Sequence, residues 1–337
     1  MTNSSIGATL AVMPDSAIAV EGLQKRFGDV VALDGIDFEV PPATVFGLLG
    51  PNGAGKTTAV RVLTTILRPD AGTATVLGLD VASEAERVRA RIGLAGQFAA
   101  VDGNLTGREN LRLIGRLTHL PRRMIEDRAA ELLEQFDLID AADRPARTYS
   151  GGMRRRLDLT AALVHRPPVL FLDEPTTGLD LYSRNQLWAV IESLQAEGAT
   201  ILLTTQYLEE ADRLADDLVV IDHGQVIASG SPVQLKSRLG GTVVEVGFAD
   251  PGEARRAQGF LVNYAVRPPD VDGSEVRFEM CDGARVIVDA LRTLDGEGVA
   301  PATLAVREPS LDDVFLALTG RRVEPEEAPE EETRGAA

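Results

Sequence analysis

The sequence has 337 residues, an apolar fraction of 44% and a net charge of −17, which fits about two folded domains and argues against nucleic acid as a partner, because phosphate neutralisation needs a basic face. A single cysteine, Cys281, excludes a disulfide framework and a Cys-based metal site. Residues 1–16 carry no basic region followed by a long apolar core, and no apolar run approaches the roughly 18–20 residues that span a bilayer, so any membrane crossing must come from another subunit.

After an N-terminal extension over residues 1–16, Ile18-Ala19-Val20 and Ile36-Asp37-Phe38-Glu39-Val40 alternate as half-buried strands do, with Asp37 and Glu39 turned outward. Between them, Phe27 in Lys25-Arg26-Phe27-Gly28 sits beside charged neighbours. It reads either as core or, given the loop downstream, as a platform on which an adenine stacks. Val45-Phe46-Gly47-Leu48-Leu49 then runs into Gly50-Pro51-Asn52-Gly53-Ala54-Gly55-Lys56-Thr57-Thr58, and a helical pattern with Val60, Leu63 and Leu67 follows. This is the G-x-x-x-x-G-K-[ST] phosphate-binding loop in its strand–loop–helix setting. The glycines let successive backbone N–H groups turn inward to cradle anionic oxygens, at a helix N-terminus whose dipole favours negative charge. Lys56 reaches for the β- and γ-phosphates of a nucleotide, and the Thr57 hydroxyl for Mg²⁺.

Ala74-Thr75-Val76 and Ile92-Gly93-Leu94 are further short strands, the second leading to Gln97, which is either surface or an amide reaching a metal or water at the phosphate site. Thr106-Gly107-Arg108-Glu109 is a capping box opening a helix through Leu111, Ile114 and Leu117. A second helix follows Pro121 with Ile125, Ala129, Leu132, Leu133 and Phe136 on one face, so residues 102–165 form a helical insert in an α/β domain. The insert ends in Tyr149-Ser150-Gly151-Gly152-Met153 ahead of a helix carrying Arg154, Arg155 and Arg156; taken alone, Ser150 is a plain N-cap. Val169-Leu170-Phe171-Leu172 ends in the paired acids Asp173 and Glu174, as a strand buried on both faces of a parallel sheet does at the ligand crevice. Asp173 is placed to hold Mg²⁺ through water, and Glu174 to orient and deprotonate an attacking water. Pro175 to Asp180 form a turn before a helix with Leu187, Val190 and Leu194.

Ala199 to Thr205 is another buried strand, ending at Gln206, with Glu209, Glu210 and Asp212 on the helix after it. Leu218 to Ile221 and Val226 to Ala228 read as a hairpin around Asp222-His223-Gly224. His119, His165 and His223 have no metal-site spacing and are taken as structural or exposed. Gly240-Gly241 marks a domain boundary. Beyond it, residues 242–320 form a small α+β domain with strands at Val243 to Phe248, Val276 to Met280 and Val286 to Val288. Ser310-Leu311-Asp312-Asp313 caps its last helix, which holds Val314, Phe315 and Leu318 and stops at Gly320. Residues 321–337 are an acidic tail with the composition of disorder.

The loop at 50–57, Gln97, Ser150-Gly151-Gly152, Asp173-Glu174 and Gly178-Leu179-Asp180 occur in the order found in ATP-binding cassette (ABC) ATPases; this resemblance covers about residues 17–235 and implies an ATP-binding domain over residues 17–239. It implies a P-loop NTPase cassette, α/β, with a mixed-sheet core, an antiparallel β subdomain and the helical insert, and it implies an ATPase using ATP and Mg²⁺. It also implies a head-to-tail homodimer in which Ser150, Gly151, Gly152 and Met153 form the signature turn facing the partner's γ-phosphate, with Asp180 in the adjoining D-loop. Two departures stand out: Tyr149 and Met153 flank the signature where Leu and Gln are usual, and Gln206 stands where most relatives carry His. Gln can donate to a γ-phosphate but cannot become cationic, which shifts the burden of proton transfer to Glu174. Thr204 to Asp212, together with Leu311-Asp312-Asp313-Val314-Phe315-Leu316, resembles the daunorubicin/doxorubicin-resistance type of exporter ATPase. That resemblance implies a peripheral subunit on the cytoplasmic face of a bacterial membrane, docked on a separate permease and driving efflux of a drug or lipid-like compound. The alternative is a soluble ABC ATPase acting on a ribosome or a DNA-repair complex.

Overall fold

The computed structural model describes residues 16–96, 101–239, 242–280, 283–307 and 309–319, and these divide into two compact units between Ser229 and Gly230. Gln97, Gly240, Gly241, Cys281, Gly320 and the proposed tail lie outside the described residues. Among the described residues no helix is long and apolar enough to cross a membrane.

The first unit opens with β1 (Ile18–Phe27) and β2 (Val30–Val40), an antiparallel pair. Then come β3 (Val45–Leu49), α1 (Lys56–Leu63), β4 (Ala71–Val76), β5 (Leu79–Asp80), α2 (Ala85–Arg89) and β6 (Ile92–Ala95). The insert supplies α3 (Gly107–Leu117) and α4 (Arg122–Gln135), after which α5 (Gly151–Ala162) leads to β7 (Val169–Asp173), α6 (Leu181–Ala196), β8 (Thr200–Thr205), α7 (Leu208–Leu214), β9 (Asp217–Asp222) and β10 (Gln225–Gly230). The expected capping box is present: the Thr106 hydroxyl accepts from the Glu109 N–H while the Glu109 carboxylate accepts from the Thr106 N–H.

A four-stranded sheet in the order β2-β1-β4-β5 faces a six-stranded sheet in the order β10-β9-β3-β8-β7-β6. Strands β6, β7, β8, β3 and β9 run parallel, so their carboxyl ends share one edge, where ligands of open α/β sheets bind. Every residue of β3, β7 and β8 is buried, which explains why these strands are mostly apolar. Their side chains alternate between two cores. Val169, Phe171 and Leu202 pack with Ile18, Leu23 and Ile36 of the four-stranded sheet, whereas Leu170, Leu172 and Leu203 pack with Leu132, Phe136 and Trp188 of the helical side. The rings of Phe38 and Phe46 stack across the two sheets at 5.5 Å.

The second unit holds α8 (Pro232–Leu239), β11 (Thr242–Gly247), α9 (Pro251–Leu261), β12 (Asp270–Asp272), β13 (Glu275–Met280), α10 (Gly283–Gly296), β14 (Thr303–Arg307) and α11 (Leu311–Thr319). Its sheet is antiparallel in the order β12-β13-β11-β14. Val286 to Val288, expected as a strand, lie instead in α10. Three consecutive branched residues suggested an extended run, but Ile287, Ala290 and Leu294 reach the apolar core while Val288 is exposed, the three-to-four residue spacing of a helix face. Ser310 caps α11 as expected, its hydroxyl accepting from the Asp313 N–H. Asp313 is in turn gripped by Arg307 at 2.6 Å.

Phe171 is fully buried between the two sheets. Phe171→Ala should lower the stability of the first unit by about 3–5 kcal/mol. Urea unfolding followed by the fluorescence of the single tryptophan, Trp188, measures this. A loss under about 1 kcal/mol would contradict the packing, since surface substitutions are the ones that cost so little.

Candidate functional site

The loop after β3 is shaped by its glycines. A Cβ on Gly50 would lie 2.1 Å from the Ile221 carbonyl oxygen, and one on Gly55 2.5 Å from that of Ala32. Neither position can carry a side chain without moving backbone. α1 begins at Lys56 with no side-chain cap and no acid in its first turn, so its leading N–H groups are left for an anion. Asn52, Gly53, Ala54, Gly55, Lys56, Thr57 and Thr58 line a cleft of about 510 Å³ together with Glu174, Thr177 and residues 30–32 of β2. The Gly50 and Pro51 carbonyls accept from the Lys56 ammonium at 2.7 and 3.1 Å. Lys56 is 3% exposed, and its Nζ lies 3.5 Å from Glu174 Oε1. Burial lowers its pKa, against the pull of the Glu174 and Asp173 carboxylates.

β7 and β8 bring the acids to the same edge. The Thr204 hydroxyl donates to Asp173 Oδ1 at 2.6 Å and accepts from the Glu174 N–H at 3.0 Å, so one side chain orients both acids. The Thr57 hydroxyl donates to the same Asp173 oxygen at 3.1 Å. This pair offers two hard oxygen donors, a set that suits Mg²⁺ completed by water and phosphate oxygens. Glu174 has φ +50°, a conformation uncommon for a residue with a side chain and one that surrounding contacts must hold. Thr204 was not foreseen as a site residue. Its signal is a hydroxyl near the carboxyl end of a fully buried strand, since a buried polar group must find partners.

The remaining expected residues are placed as follows. Gln206 is buried directly after β8. Ser150 is the N-cap of α5, its Oγ accepting from the Met153 N–H at 3.2 Å. Ser150 and Gly151 are exposed, and Gly152 and Met153 partly so. A Cβ on Gly152 would meet Ser183 Oγ at 2.7 Å, which sets the start of α5 against the start of α6. Asp180 caps α6, accepting from the Ser183 N–H at 2.7 Å, and that bond lowers its carboxyl pKa. Phe27 is exposed at the end of β1, paired with Val30, which lines the cleft. The Lys25 ammonium lies 5.7 Å from the Phe27 ring centroid. His165 is partly buried, its Nε2 3.0 Å from the Ile92 carbonyl oxygen, and burial lowers its pKa. Among the described residues, no cluster of three or more His, Cys, Asp or Glu could hold a metal by itself.

Four residues beyond Gln206, Glu210 is fully buried and accepts from the Trp188 indole N–H of α6 at 3.0 Å. Burial pushes its carboxyl pKa upward.

Residues 33–177 match the ABC transporter family model. The chain is 53% identical over 320 residues to a daunorubicin resistance ATP-binding protein, DrrA2, of Streptomyces coeruleorubidus, covering 94% of this chain and 99% of that one. It is 44% identical over 309 residues to the Nod factor export ATP-binding protein I of Ralstonia nicotianae, covering 91% and 94%. Among solved structures, an ATP-binding subunit of an ABC transporter superposes with a TM-score of 0.62 at 28% identity, covering 67% of this chain and 94% of that one.

Because its folded-state pKa is raised, Glu210 favours its neutral form in the fold. That contribution is complete below the unfolded value, 4.5, and is lost as pH rises through the raised folded value. Glu210→Gln keeps an acceptor for Trp188 without the charge. Its melting temperature relative to the native chain should therefore climb as pH is raised from about 4 to about 8. A difference that stays flat over that range would contradict the buried-acid account.

Proposed function

We propose, for a chain that belongs to the ABC transporter ATP-binding proteins of the daunorubicin/doxorubicin-resistance type, that ATP hydrolysis in this cleft drives efflux of a drug or lipid-like compound through a separate membrane permease. The chain is an ABC ATP-binding subunit and an ATPase. The relatives named for drug resistance and for Nod factor export favour export as the direction. The partner would be a permease docked from the membrane, with this subunit peripheral on its cytoplasmic face. Residues 17–239 would be the cassette, with the insert at 102–165, and residues 242–320 an accessory domain.

What carries this reading is a buried lysine at the mouth of a helix, facing a carboxylate, in a cleft walled by backbone N–H groups. Phosphate oxygens would accept from backbone N–H groups between Gly53 and Thr58, apart from that of Ala54, which donates to the Pro51 carbonyl at 3.2 Å, and the Lys56 ammonium would leave the Gly50 and Pro51 carbonyls for the β- and γ-phosphates. Phe27 would stack the adenine. Thr57 and Asp173 fit Mg²⁺, with Gln97 as a third contact. The ion, when bound, would neutralise charge on the phosphates. Glu174 would take the proton of the attacking water, with its position held by Thr204. The buried Gln206 amide would donate to the γ-phosphate. Ser150, Gly151, Gly152 and Met153 would act on the nucleotide of a second copy, with Asp180 beside them, so that a two-fold homodimer forms two composite sites from one surface.

Glu174→Gln should trap ATP-bound dimers and lower turnover by about 10²–10⁴-fold, the usual worth of a positioned base. Steady-state hydrolysis alongside size-exclusion chromatography in ATP measures both effects, and undiminished turnover would overturn the assigned base. Gln206→Ala should slow hydrolysis whereas Gln206→His is tolerated, since both Gln and His can donate to an oxyanion. If Gln206→Ala hydrolyses at the native rate, the residue has no part in sensing the γ-phosphate.

A further inference from the structure

Arg155 was foreseen only as one of three arginines on the helix after the signature turn, yet its side chain occupies a singular place. The guanidinium is 15% exposed and donates to four backbone carbonyls. Nε donates to Pro175 at 2.7 Å, Nη2 to Glu174 at 2.8 Å and to Asp173 at 3.1 Å, and Nη1 to Gly96. Asp158, buried one turn further along α5, lies 3.7 Å away. Only a planar fork of five N–H donors can answer convergent carbonyls in this way; a lysine ammonium offers a point charge.

The Glu174 peptide is thus gripped on two sides. Its N–H is held from β8 by the Thr204 hydroxyl and carbonyl at 3.0 and 3.2 Å. Its carbonyl is held from α5 by Arg155 at 2.8 Å. Both grips secure a residue at φ +50° that relaxes without them. The N-terminal end of α5 is the exposed Ser150–Gly151 turn, about one and a half helical turns from Arg155. Gly96, the fourth carbonyl, directly follows β6.

We infer that Arg155 is a positioning residue that couples the two nucleotide sites. When the Ser150 turn engages the nucleotide on a second copy, α5 shifts as a unit. Arg155 carries that shift to the backbone of Glu174 in its own copy, so that each site fires only when its partner is loaded. This rests on the roles proposed above for Glu174 and Ser150, and it adds a direction of information flow: from a copy's signature turn to that same copy's base.

The test compares Arg155→Gln and Arg155→Lys with Glu174→Gln in the full-length chain, measuring hydrolysis against ATP concentration, binding of a fluorescent ATP analogue and melting temperature. For both Arg155 variants kcat should fall about 100-fold, the cost of misplacing a reacting group by about 1 Å. KM, analogue binding and melting temperature should stay near native values. The Hill coefficient should drop from between about 1.5 and 2 in the native chain to about 1. Lys should not rescue. If Glu174→Gln hydrolyses normally, the site reading fails and takes the coupling with it. If Glu174→Gln is inactive while either Arg155 variant keeps native kcat and Hill coefficient, the site reading stands and the coupling is overturned. Loss of melting temperature in step with kcat in both variants, or a native Hill coefficient of about 1, also overturns it.

Discussion

A lysine ammonium with almost no contact with water is the constraint on which the site depends. Lys56 occupies the first turn of α1, where the helix dipole already places positive charge. Its Nζ has two carbonyls and one carboxylate for company. Burying a cation is costly unless it is paired and hydrogen-bonded, and the fold supplies that pairing by aligning the carboxyl ends of β3, β7 and β8. The glycines at 50 and 55 let the chain pass against the Ile221 and Ala32 carbonyls, and the strands beneath are buried on both faces and hold their ends in register. A polyphosphate would suit both this cation and the uncapped start of α1 beside it.

The acids opposite are placed by polar groups that belong to neighbouring elements. Thr204 in β8 binds both Asp173 and the Glu174 backbone, and Arg155 in α5 takes the carbonyls of Asp173, Glu174 and Pro175. Glu174 is therefore set by tertiary contact from two sides more than by its own strand. Through Arg155, α5 joins an exposed turn at Ser150 to the backbone of the proposed base, Glu174, and the proposed homodimer would give that surface something to touch.

Much of the cassette was legible from residue patterns, because its elements are long and its signals local. The apolar runs of β7 and β8, the capping box at Thr106 and Glu109, the N-cap at Ser150 and the glycine spacing around Lys56 each report a short-range physical requirement. Thr204 and Arg155 were harder to see, because their partners lie on other elements of the sheet edge and a hydroxyl or guanidinium does not announce what it will meet. Val286 to Val288 misled for the opposite reason: a local β-preference was overridden by a core face that runs on through Ala290 and Leu294. Phe27 shows a third case, an exposed aromatic whose worth depends on a ligand more than on the chain itself.

The central claim is that two copies close over ATP, the Lys56 loop of one against the Ser150 turn of the other. Cysteine cross-linking tests it most directly, since Cys281 is the only native thiol. In a Cys281→Ser chain carrying Asn52→Cys, Ser150→Cys and Glu174→Gln, ATP should produce a disulfide-linked dimer within minutes of mild oxidation, and ADP should not. Cross-linking that is equal with ATP, with ADP and without nucleotide, in a chain that still binds ATP, would contradict the account.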